Sequence, residues 1–163
     1  MPAQNLATYL NDHLAGSTVG LELSKRARGS NKGNEYGEVL ERIAREIEED
    51  RETLKGLMET LEIGPDRAKV GGAWVAEKFG RLKPNGRLLS YSPLSRLVEL
   101  ESLALGISGK LSLWEALREV AAEDARLDPE ELSRLADRAE LQRKEVWQLR
   151  QRAAAEAFAA RAS

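Results

Sequence analysis

With a single histidine and no cysteine, this chain has few ways to hold a metal or run acid–base chemistry, so the setting of His13 is the first question. The absence of thiols excludes a disulfide framework, a thiolate zinc site and a cysteine nucleophile together. His13 falls on a stripe of Leu6, Leu10, Leu14, Ser17, Leu21 and Ser24, the three-and-four spacing of one helix face. A second stripe, Val39, Leu40, Ile43, Ile47, Asp50, Leu54, Leu57 and Leu61, carries an acid near its middle. If the two helices form an antiparallel hairpin turning near residue 31, His13 comes opposite Glu49 and Asp50. If a crossover sets the third helix parallel to the second and the fourth returns beside it, Gly106 to Lys110 and Gln142 reach about the same level. The pattern predicts a polar layer of His13, Asp50 and Gln142, with Glu46 nearby, crossing an otherwise apolar interior. His13 and Asp50 are expected to be mostly buried and within hydrogen-bond reach, directly or through one water or ion.

Three readings of such a layer stay open. It can be an internal hydrogen-bonded network that sets helix register, His13 donating to Asp50 and Gln142 satisfying what remains. It can be a transition-metal site, with His13, Asp50 and Glu46 or Glu49 as ligands and one position left for water. It can also be a small-molecule pocket, opened where glycines loosen the neighbouring helix. The acidic run from Glu46 to Glu52 is mostly a solvated face, because on a helix its side chains point all the way round. Glu22, Glu99, Glu101, Glu140 and Glu145 are read as surface residues.

Four long helices have to position this layer. The first spans about residues 5–27 and the second begins after a polar turn, Arg28 to Asn34, that contains two glycines. Gly64-Pro65 stops the second. Residues 65–92 read as a crossover, with a short helix over 66–79 carrying Val70, Trp74 and Val75, and a Pro84-Asn85-Gly86 reversal. Ser92-Pro93 opens the third helix with an N-cap serine and a first-turn proline. That helix either kinks at Gly106–Gly109 and continues to about Ala125, the favoured reading, or gives way to a second helix capped by Ser112 and Glu115. Asp128-Pro129 caps the last helix, whose stripe is Leu132, Leu135, Ala139, Gln142, Val146, Leu149, Ala153 and Ala157. Trp74, Trp114 and Trp147 are expected as packing anchors, Trp147 standing beside its stripe where an interface could use it.

This succession of two long helices, a crossover and two more long helices resembles the ferritin-like four-helix-bundle superfamily. The resemblance implies an all-α fold with a long crossover, and carboxylates and histidines as the inward chemistry. The di-iron members place Glu-x-x-His on each of two helices. Here Glu46 is followed by Glu49 and Glu140 by Arg143, so the di-iron motif is not intact.

Composition bounds the rest. At 163 residues the chain is one domain, 1–163, by size. Twenty-five basic against 27 acidic residues leave a net charge of −2, too small a field to draw in nucleic acid or an anionic membrane. No stretch approaches the roughly 18 uninterrupted apolar residues of a membrane span, and the polar N-terminal segment gives a cytoplasmic reading. Ala104 to Leu111 approaches a phosphate-binding loop, but alanine replaces its first glycine and leucine its hydroxyl. The functional expectation is a non-catalytic helical protein acting through protein contacts or self-association. The alternative is a metal-binding or oxidoreductase relative of the di-iron bundles, its ligands drawn from around His13 and Asp50. Neither assigns a catalytic residue.

Overall fold

The computed structural model describes residues 2–66 and 91–159. Four α-helices account for most of them: α1 (Pro2–Ser30), α2 (Glu35–Thr60), α3 (Pro93–Ala121) and α4 (Pro129–Phe158). No strand occurs among the described residues. The described residues form an all-α four-helix bundle.

Short polar side chains set the helix starts. Asn34 accepts from the backbone N–H groups of Tyr36 and Gly37 at 3.0 and 3.2 Å, Ser92 from Ser95 at 3.1 Å, and Asp128 from Glu130 at 2.9 Å. Each satisfies first-turn donors that the helix itself cannot. The turn before α2 is tight: a Cβ at Gly37 would stand 2.3 Å from the Asn31 carbonyl oxygen, and Gly33 takes a positive φ of 84°. Only glycine fits the first position, and the second is the left-handed conformation glycine adopts without strain.

α3 runs unbroken through Gly106 and Gly109, ending at Ala121 rather than near Ala125, so the alternative of two shorter helices is excluded. Ser112 does not cap a new helix; its hydroxyl donates back to the Ser108 carbonyl at 3.2 Å. Packing on both sides of the glycines explains the continuity. Leu103 and Ile107 lock into one apolar cluster, and Leu113, Trp114 and Leu117 into another.

These clusters show the topology. Leu10, Leu57, Leu61, Leu117 and Leu132 meet at one end, and Leu23, Leu40, Leu97, Leu100 and Leu149 at the other. Thus α2 and α3 run in the same direction. α1 pairs with α2 and α3 with α4, while α1 also packs on α3 and α2 on α4, leaving α2 and α3 diagonal. A simple up-down meander, which would make those two neighbours, is excluded. The backbone N–H of Asp66 donates to Asn11 at 2.6 Å near the start of α1, whereas Tyr91 accepts from Asn31 at 2.8 Å beyond its end. Asp66 and Tyr91 therefore sit at opposite ends of the bundle. The expected short helix over 66–79, Trp74 and the 84–86 reversal fall among residues 67–90, outside those described.

Candidate functional site

Between the two apolar clusters lies a layer of charge. Asp50 reaches inward from α2 and is almost wholly buried. Lys110 of α3 and Arg138 of α4 each donate to one of its carboxylate oxygens. Lys110 also donates to the side-chain oxygen of Gln142, which is fully buried. The Gln142 amide nitrogen donates in turn to Glu46 at 2.7 Å, and Glu46 pairs with Arg42 at 2.9 Å. Arg42 bridges to Glu145 at 2.6 Å, and Arg138 to Glu49 at 3.1 Å. A chain of alternating donors and acceptors thus ties α2, α3 and α4 at one level. It fixes the Gln142 amide in a single orientation, since only its oxygen can face the ammonium.

The electrostatics follow from burial and contact. Desolvation pulls Lys110 below the usual lysine range, with Asp50 opposing that fall. Burial would raise Glu46, but hydrogen bonds from Gln142 and Arg42 outweigh it and hold the carboxyl low.

The structure brings Asp50, Gln142 and Glu46 into the expected layer, but His13 stands aside. Its ring is half-buried and lies edge-on to Tyr9, centroids 4.5 Å apart. The direct hydrogen bonds to Asp50 come from Lys110 and Arg138, so a direct His13–Asp50 pairing is replaced by two cations. The reason is charge. A buried carboxylate is better compensated by an ammonium and a guanidinium than by an imidazole that burial keeps neutral. Glu49 is exposed and serves Arg138. Among the described residues no group of three or more His, Asp or Glu side chains is gathered to hold a metal ion. The di-iron chemistry of the resembling superfamily does not fit this donor set, because a metal at Asp50 would have to displace both Lys110 and Arg138.

Lys110 and Arg138 were not singled out from the sequence as layer members. A signal was there: Ile107, Lys110 and Trp114 keep the helical stripe spacing, and an inward Asp50 demands a cation. Glu99, read as a surface residue, is buried. Its carboxylate lies 2.7 Å from Arg26 and accepts from the Tyr91 hydroxyl at 2.9 Å. Burial raises Glu99, and burial with its carboxylate neighbour pushes Tyr91 up to about 12. The other acids behave as surface groups: Glu22 is exposed, Glu101 pairs with Arg150, Glu140 with Arg143 and Glu145 with Arg42.

Beside the layer, α1 and α3 stand apart around a cavity of about 650 Å³ floored by Ile47, Asp50 and Leu54 of α2. Gly16 and Gly20 line it from α1, Gly106 and Gly109 from α3, with His13, Lys110 and Trp114 among the other walls. A Cβ added at any of these four glycines would meet nothing within 4 Å. Each glycine costs a helix interior roughly 0.5–1 kcal/mol relative to alanine.

His13 gives the cavity wall a pH dependence. Burial, opposed in part by Asp12, holds its pKa below the ordinary 6.5. The unfolded chain therefore binds the proton more readily than the fold, and the His13 contribution falls as pH drops below 6.5 toward the folded value. Urea unfolding of the parent and of His13→Phe should show a constant stability difference above 6.5 and a parent that loses ground below it. A difference that does not change with pH would mean the ring is as solvated folded as unfolded.

No protein-family model matches this chain, and neither a curated protein nor a solved structure does.

Proposed function

We propose that the protein is a cytoplasmic, ferritin-like helical bundle that acts without catalysis, through contact of its α3–α4 face with a second copy of itself. The ferritin-like assignment is supported by the parallel, diagonal α2 and α3, since a crossover between the second and third helices is what that topology requires. The non-catalytic reading is supported by the polar layer, where the Lys110 ammonium is engaged by Asp50 and Gln142 and braces three helices.

One observation carries the self-association. Leu94, Val98 and Leu105 of α3 are 54%, 44% and 75% exposed, and Trp147 and Phe158 of α4 are 48% and 72% exposed. Helical spacing puts each set on one side of its helix. The Arg150–Glu101 ion pair at 2.9 Å sets the antiparallel register of the two helices. That register brings Leu94 level with Phe158 and Leu105 level with Trp147. Exposed apolar residues set level on neighbouring helices in this way mark a contact surface. Its one charged pair, Glu101 with Arg150, lies near the middle, and Arg150 stacks over Trp147 at 4.6 Å. A two-fold axis through that pair sets each Glu101 against the Arg150 of the other copy and leucine against aromatic on either side, the self-complementarity an isologous dimer needs.

Light scattering coupled to size-exclusion chromatography tests this. The parent should run as a dimer and the Leu94→Glu/Val98→Glu double variant as a folded monomer. A monomeric parent at about 100 μM, well above the micromolar constants of transient interfaces, would overturn the reading.

A further inference from the structure

The cavity between α1 and α3 meets that face at Leu105, which is among its lining residues, but the inference about it does not depend on the dimer. Four glycines placed within long helices, two on each wall, face a space that no described side chain fills. Glycine is among the poorest helix formers, and packing within the described chain does not require it at these positions. The cavity's volume lies within the range of small-molecule sites. Its body is apolar: Ile47, Leu54, Leu103, Leu113 and Trp114.

The polar atoms of the lining define the other end of a ligand. Lys110 already has Asp50 against it. Arg51 has no buried carboxylate against it among the described residues. Its side chain is only 15% exposed and its one ion pair among the described residues, with the exposed Glu52, is 3.5 Å long. One guanidinium nitrogen donates to Thr18 at 3.2 Å. The positive charge of Arg51, with the exposed Glu52 as its ion pair among the described residues, makes a negative charge at that end of a ligand favourable.

We propose that this cavity binds an amphipathic carboxylate, a small anion with an apolar body, its head at Arg51 and its chain between the glycine-lined walls beside Leu54, Leu113 and Trp114.

Isothermal titration with decanoate, 1-decanol and decylammonium tests the assignment. Decanoate should bind with a stoichiometry of one per chain, decanol at least about tenfold more weakly, and decylammonium more weakly still, a tenfold change being about 1.4 kcal/mol. Arg51→Met, which keeps the aliphatic stem, should weaken decanoate about tenfold or more and leave decanol unchanged. Gly106→Leu, whose side chain enters open space, should abolish both, and Gly20→Leu does the same from the opposite wall should the first variant not fold. Three outcomes overturn the proposal: no decanoate binding, equal binding of decanoate and decanol, or binding untouched by either glycine variant. A glycine variant that changes the oligomeric state while the parent ignores decanoate would assign the cavity to a second copy's helix instead. The Leu94→Glu/Val98→Glu variant alters no residue of the cavity lining, so it should bind decanoate like the parent, which separates failure of the dimer from failure of the site.

Discussion

Asp50→Ala is expected to destabilise the bundle by about 3–5 kcal/mol, a large share of the total stability of a domain this size. The loss does not measure the strength of an ion pair. Bringing Asp50 and Lys110 out of water costs much of what their attraction returns, and the pair as a whole contributes little net. Removing the carboxylate alone is different: it leaves the Lys110 ammonium, whose side chain is only 14% exposed, facing Gln142 and no anion. Arg138 is more exposed and can turn to Glu49, so Lys110 bears most of the consequence. Asp50→Leu with Lys110→Met removes both charges and should recover most of the loss in urea unfolding, as replacement of a buried ion pair by apolar groups commonly does. If Asp50→Ala alone changes stability by less than about 1 kcal/mol, within the range of ordinary surface pairs, the layer is wetter than its burial indicates.

Trp114→Ala should cost about 3–5 kcal/mol, the range for truncating a large buried aromatic. The indole packs with Leu10, Leu14, Leu54 and Leu117 in the cluster that joins all four helices at one end of the bundle. It also walls the α1–α3 cavity, so its removal would enlarge a space that already exists, and the walls have little freedom to collapse. Trp114→Phe keeps an aromatic ring and discards an N–H that has no partner among the described residues, so it should lose markedly less. Trp147, beside Arg150 on the outer face, is the internal control: Trp147→Ala in the monomeric Leu94→Glu/Val98→Glu background should stay within about 0.5 kcal/mol of its parent in thermal unfolding. Equal losses at the two tryptophans would contradict the placement of both.

Much of this was legible along the chain because helix formation and helix capping are local. The stripe from Leu40 through Ile43, Ile47, Asp50, Leu54, Leu57 and Leu61 is buried as its spacing predicts, and so is the one from Leu132 to Ala153. Ser92-Pro93 and Asp128-Pro129 start helices because a side-chain acceptor and a fixed φ act within one turn. The burial of Asp50 and Gln142 followed from the same periodicity, and the level of Lys110 from the crossover topology that the resemblance implied.

The partners within that level were not legible, because they depend on how far each helix is rotated and on which long side chain reaches across. His13 shares its stripe with Leu10 and Leu14, yet α1 faces α3 across a glycine-lined gap rather than closing on the layer, and the ring turns to Tyr9. Lys110 and Arg138 have long stems that carry charge several ångströms from the backbone, so sequence spacing alone did not assign them to Asp50. Glu99 was misplaced for the same reason, since its burial depends on α1 delivering Arg26 to it. The cavity depends on the separation of two helices, and the exposed strip on the pairing of α3 with α4. Periodicity and caps, which act between neighbours in sequence, determined the helices and their inward faces; the ion-pair partners, the gap and the contact face were decided only when helices distant in sequence were set side by side.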